Sequence, residues 1–254
     1  MNKNLWLLIS SQVFAFTAAP VTVFLSGIIG SQFSPIKSLA TLPMALSIVG
    51  IAIFAIFAAK IMSIIGRRAG FILASVVSSL SSLLAAYSII NESFILFNFS
   101  CFLLGAGVAF SHQYRFAAVE TVKKDMAPKA ISIILLAGIG SAFVGPNVAN
   151  ISKDIISEHL YAGSYIALAA LTLSSTIFLI FYKDGHKPNR INKKILRSYL
   201  ELISQPRFLQ ALIASAFAYA VMSFLMTATP ISMHVMEEIS LTKTGFVIQL
   251  HIAA

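Results

Sequence analysis

A Gly-Arg-Arg triplet, Gly66, Arg67 and Arg68, stands between two long apolar stretches of a chain in which only 11% of the residues are charged. Gly66 permits a tight turn. The two guanidinium groups can bond to carbonyls at a helix C-terminus or to a carboxylate on a neighbouring helix, a plain basic anchor being the alternative. Glu120 is the expected carboxylate partner. Asn98, Cys101, Gly105, Val108, His112 and Arg115 recur at three- and four-residue steps and so share one helix face, with Gln113 and Glu120 on an adjoining one. An ionisable group in an apolar stretch costs about 2.5–3.5 kcal/mol to insert into a membrane. His112 and Arg115 are therefore candidates for lining a cavity or gate, unless Arg115 merely snorkels to the head groups. Gln12, Thr17 and Thr22 near the start of the chain, and Ser223, Thr227 and Thr229 far along it, offer hydrogen bonds to a polar solute or silently to their own backbone.

Other chemistry is missing from the sequence. It has no Gly-rich phosphate loop, no His-x-x-x-His or acid cluster for a metal, and no Ser-His-Asp set, so no catalytic residue, metal or cofactor is expected and the chain does not read as an enzyme. Cys101 is the single cysteine, which rules out an intramolecular disulfide and leaves a packing role. His159 and His186 fall in loops, and His234 and His251 have no visible partners. The formal charge of +9 does not point to nucleic acid, because the basic residues sit between apolar runs and not on one face. Anionic lipid head groups are the expected counter-charge.

These residues are set in a chain that is 58% hydrophobic, well above the 45–50% or so of soluble proteins. About 20 apolar residues cross a hydrocarbon core roughly 30 Å thick. On that measure the spans are Leu5–Ile29, Leu39–Ile65, Gly70–Ile90, Phe94–Phe116, Ala130–Ile151, Tyr161–Tyr182 and Phe208–Thr229, with an eighth beginning near Gly245. The first apolar run is too long for a signal-peptide core and reads as a retained helix. The fold class is all-α, a polytopic helical bundle whose first partner is the lipid bilayer.

Placing Met1 in the cytoplasm puts fifteen of the eighteen basic residues on the inner side, seven of them in Lys183–Arg207: Lys183, Lys187, Arg190, Lys193, Lys194, Arg197 and Arg207. That bias follows the positive-inside rule and implies a cell (inner) membrane protein with a cytoplasmic N-terminus. Pro20, Pro43 and the pair Gly145-Pro146 interrupt spans one, two and five, as packing kinks or as functional hinges. Thr17-Ala18-Ala19-Pro20-Val21 is echoed by Thr227-Ala228-Thr229-Pro230-Ile231, each toward the outer end of its span. Parallel repeats of this kind occur where two six-helix halves are related by an axis along the membrane normal.

Six spans, a long basic loop, a second group of spans and Gly-Arg-Arg between spans two and three together resemble the major facilitator superfamily of secondary transporters. The family's loop resembles G-x-L-A-D-R-x-G-R-R. Here Gly66, Arg67 and Arg68 match its end, while Ala59, Ser63 and Ile64 stand in place of its first Gly, its Asp and its first Arg. Gly145-Pro146 resembles the core of an exporter motif whose later Gly pair is replaced by Ala149-Asn150. The resemblance implies a six-helix bundle at 1–182, a cytoplasmic basic loop at 183–207 and an incomplete second bundle at 208–254. It also implies transport of a small solute by alternating access, in a truncated or split member that a complementing C-terminal half would complete. A seven-helix assembly subunit without transport activity is the alternative. Pairing of Glu120 with Arg67 or Arg68 is expected to clamp the inner ends of spans two, three and four in an outward-open state.

Overall fold

Long apolar runs can satisfy their backbone polar groups in lipid only as helices. In the computed structural model, which describes residues 3–184, 198, 201 and 203–253, every regular element is a helix. Seven helices among the described residues are long and apolar enough to cross a bilayer: Lys3–Phe33, Lys37–Ile65, Arg67–Ile90, Phe94–Glu120, Lys124–Ser152, Ala162–Phe181 and Pro206–Met236. They are spans one to seven, and a further helix, Leu241–Ala253, follows. Lys187, Arg190, Lys193, Lys194, Arg197 and His186 of the basic loop, and Met1, lie outside the described residues.

Spans one to six form one bundle. Span two packs on four, span three on four and six, and span one on five and six. Spans two and four approach closely, so that a Cβ on Gly50 would run into the Phe102 carbonyl and one on Gly105 into that of Ser47. Small residues permit such backbone-to-backbone contact. Phe24, Leu25, Phe97 and Tyr165 fill one end of the interior, and Leu8, Phe71, Tyr114 and Leu179 the other. Buried hydroxyls cross-link helices within it, Ser75 to Ser175 at 2.6 Å and Ser11 to Tyr114 at 2.6 Å.

Two spans are interrupted. Span one is two helices, Lys3–Ala15 and Ala18–Phe33, with Pro20 in the first turn of the second. Pro20 has no N–H to offer the Phe16 carbonyl, which takes the Ala19 N–H instead at 3.1 Å. Span four breaks at His112-Gln113, between Phe94–Ser111 and Tyr114–Glu120, with neither Gly nor Pro at the break. Two expected interruptions come out differently. Span five runs unbroken through Pro146. Pro43 is the second residue of its helix, Leu42–Ile65, where a missing N–H costs nothing, so it does not kink span two.

Span seven meets the bundle at one end only. Met226 and Pro230 are its buried residues, while the segment 206–222 is exposed throughout. The Ile231 side chain lies against Gly27 of span one, and Phe24 lies against Gly245 of the last helix.

Candidate functional site

The break in span one and the break in span four face a common space that span five closes on one side. One cavity, of about 230 Å³, is lined by Phe16, Pro20, Met44, Val108, His112 and Ala142, with Tyr219, Met222 and Met226 from span seven. A second, of about 310 Å³, is lined by Gln12, Ser111, Arg115, Ile134 and Leu135, and the two share Phe16, His112, Gly138 and Ile252. Irregular backbone is tolerated at membrane depth where it lines such a space. Pro146 leaves the Ala142 carbonyl without its helical N–H, and Ala142 is on the cavity wall.

His112 sits on this wall with its ring edge-on to Phe16, centroids 5.6 Å apart. Arg115 is one turn further along, its guanidinium 5.0 Å from the Phe116 ring centroid. Gln12 is 7% exposed, and its carbonyl oxygen is buried without a hydrogen-bond partner among the described residues. Of the other expected solute contacts, Thr22 lines the first cavity and gives its hydroxyl to the Ala18 carbonyl at 2.7 Å, while Thr17, Thr227 and Asn98 lie elsewhere. Thr17 is fully buried and gives its hydroxyl to the Phe14 carbonyl at 2.7 Å. Thr227 gives its own to Ser223 at 2.7 Å and borders a separate pocket with Thr41 and Ala45. Asn98 donates to the Phe94 carbonyl at 2.8 Å, away from both cavities.

Gly145 and Pro20, expected as hinges, are in contact. A Cβ on Gly145 would meet Val21 at 3.1 Å, the Thr17 carbonyl at 3.2 Å and the Pro20 ring at 3.3 Å. The glycine therefore admits the bend of span one against span five.

The Gly-Arg-Arg turn is held from three sides. Gly66 has φ +88°, a conformation side chains disfavour, and lets the chain turn directly from span two into span three. Arg67 binds Glu120 with two prongs, Nη2 to Oε1 at 2.8 Å and Nε to Oε2 at 3.3 Å, and also donates to Gln113 Oε1 at 3.2 Å. Arg68 donates instead to the carbonyls of Leu179 and Ile180, at 3.1 and 2.6 Å, at the C-terminus of span six. The Arg68 backbone N–H donates to Asp184 Oδ1 at 2.9 Å, so Asp184 caps span three from another segment. Sequence spacing gave no sign of Asp184, because 116 residues separate it from Arg68. The break at His112-Gln113 had only one sign, three polar residues in succession inside an apolar run.

The Arg67–Glu120 pair lies wholly inside the six-helix bundle. It ties the turn between spans two and three to the inner end of span four. At the opposite end of the bundle the links are different. The Tyr161 hydroxyl and His234 Nε2 share a hydrogen bond of 3.3 Å, and His234 Nδ1 lies 2.8 Å from the Ile239 carbonyl. A carbonyl only accepts, so Nδ1 carries a proton, and in the neutral ring Nε2 accepts from Tyr161. Asn150 of span five donates to Thr242 Oγ1 at 3.1 Å.

The profile of the Major Facilitator Superfamily matches residues 5–254. The riboflavin transporter RfnT of Brucella anthropi is 32% identical over 235 residues, 91% of this chain and 59% of that protein. Two uncharacterized MFS-type transporters of Bacillus subtilis are also similar: YddS at 26% identity, over 100% of this chain and 61% of its own length, and YdeG at 27%, over 72% and 43%. The chain thus spans about three-fifths of the length of the first two relatives. These names are of transporters and not of enzymes, and the apolar helices are those of a multi-pass membrane protein. With a family match over nearly its whole length and a bundle of spanning helices bent around one shared space, the chain belongs to the Major Facilitator Superfamily.

Proposed function

We propose that the chain carries the solute pathway of a secondary transporter working by alternating access, and that its cavity between spans one, four, five and seven is the solute site. The observation that carries this reading is the cavity itself. It is a largely apolar space bordered by two broken helices and by Arg115, His112 and Gln12. Helix breaks at a midplane site are the usual construction of solute and ion sites in such carriers. Riboflavin is the first solute to try, since a relative at 32% identity is named for it.

The protein sits in the cell (inner) membrane with its N-terminus in the cytoplasm; the distribution of basic residues supports this orientation. Residues 1–182 and the segment from 208 onward belong to two bundles joined by the basic stretch 183–207. In that orientation the end at which span seven stands free faces the cytoplasm. Transport is the property of the whole carrier, whose cavity is walled on its far side by a C-terminal portion, covalent or supplied as a second chain. Lipid surrounds the outward faces.

Riboflavin counterflow in proteoliposomes tests the reading. The vesicles hold this chain alone, or this chain co-expressed with the C-terminal two-fifths of the Brucella anthropi relative. Counterflow above that of empty vesicles in either preparation is expected; none in both, with riboflavin and with other small solutes, overturns transport. A reporter that fluoresces only in the cytosol, fused at Met1, tests the orientation.

A further inference from the structure

We propose that the groove between the start of span one, the loop after span four and the start of span five binds an anionic phospholipid, whose phosphate sits between Lys123 and Lys129. The inference does not use the transport reading, and every residue that carries it belongs to the six-helix bundle.

The shape of the groove comes first. It encloses about 350 Å³, with Lys123 and Lys129 on one part of its wall and Leu5, Val122, Met126 and Ile133 on the rest. That is a volume at the small end of ligand sites. Ile133 follows Lys129 by one turn of span five, so it lies about 6 Å further into the span. Charge therefore stands at the rim and hydrocarbon beneath it, the order in which a lipid carries its phosphate above its acyl chains. Trp6, next to Leu5 and 54% exposed, marks the same level, since tryptophan settles at the head groups.

The charge of the groove points the same way. Residues 121–133 hold three lysines, Lys123, Lys124 and Lys129, against one acid, Asp125. Neither groove lysine is in an ion pair among the described residues. Glu120 is taken by Arg67, and Asp125 is not on the groove wall. Basic pockets between spanning helices suit anionic head groups, and each lysine near the surface adds about fivefold in affinity. A soluble phosphate would meet the lysines and leave the apolar wall, Met126 included, against water. A lipid covers both, and the gain from the covered wall favours it.

Native mass spectrometry of the purified chain, released from detergent with equimolar phosphatidylglycerol and phosphatidylcholine of one acyl composition, tests the site. The wild type is expected to retain phosphatidylglycerol over phosphatidylcholine by at least about fivefold. Lys123→Gln with Lys129→Gln should bring the two lipids to parity. Lys60→Gln with Arg207→Gln, which removes as much charge from exposed positions off the groove, should keep the wild-type preference. Equal retention of both lipids by the wild type overturns the proposal without any variant that has to fold. An equal loss in the two double variants also overturns it, as an effect of net charge alone. Excess glycerol 3-phosphate should not displace the lipid; displacement would make the phosphate group by itself the ligand. The measurement is repeated on the chain co-expressed with the C-terminal two-fifths of the Brucella anthropi relative. Preference kept there supports the lipid site, and preference lost would make the groove a seat for that portion. Counterflow is a separate readout, so its failure leaves the lipid site standing.

Discussion

Arg67 and Glu120, 53 residues apart, meet in a two-pronged ion pair that fastens the turn between spans two and three to the end of span four. Their side chains keep 21% and 39% of their exposure, so the pair is screened by solvent. Glu120→Gln is expected to cost about 0.5–1 kcal/mol, seen as a small fall in thermal midpoint in detergent. The exchange Arg67→Glu with Glu120→Arg should recover part of it. If the pair also gates, the distance between spin labels on the bundle and on span seven should shift in Glu120→Gln; an unchanged distance would leave it a tie within the bundle.

Gly66 faces a stricter demand than its neighbours. Its φ is +88°, and a Cβ there would come within 2.6 Å of Asp184 Oδ2. Gly66→Ala should therefore lose roughly 1–3 kcal/mol through the backbone alone, with Asp184 displaced from the start of span three. An unchanged thermal midpoint would mean that the turn adopts another conformation.

The link between Tyr161 and His234 ties span six to span seven at the end away from Arg67. Spin labels at Glu92 and Glu238, both at that end, are expected to move apart in Tyr161→Phe and in His234→Ala. The double variant should open no further than the larger single one, because each change removes the same bond. Additive opening would show that the two residues act separately.

Two glycines of span five should respond in opposite ways. Gly145 is hemmed in by Val21, Thr17 and Pro20, whereas nothing lies within 4 Å of a Cβ on Gly138, which faces the cavity. Gly145→Leu is expected to destabilise the protein by roughly 1–3 kcal/mol through overpacking. Gly138→Leu should leave the thermal midpoint near its wild-type value and, if the proposed solute site is right, abolish solute counterflow. Equal loss of stability in both would remove the distinction.

The spans were legible in the sequence because a bilayer demands long apolar helices, and composition reports length directly. Arg67 with Glu120 was legible because acids are scarce near the paired arginines and Glu120 was the candidate to hand. What was hidden depended on long-range placement. Asp184 at the start of span three and Arg68 at the end of span six are set by helix packing, which no local pattern encodes. Thr17 and Thr227 look alike in sequence to hydroxyls that bind a solute, yet a hydroxyl on a helix has a carbonyl three or four residues back always within reach. The interruption at His112-Gln113 escaped because neither residue is a recognised helix breaker. Pro43 misled in the other direction: the same proline that bends a helix interior is neutral at its first turn.

The fit of Gly145 against Pro20 has a mechanical consequence. Span one is interrupted where span five is bare at Gly145, so moving the Pro20 turn toward span five would drive one helix into the other. A solute that alters the bend at Phe16 would therefore deflect span five by direct steric push. Such transmission uses no charge relay, and neither ionic strength nor proton concentration should weaken it.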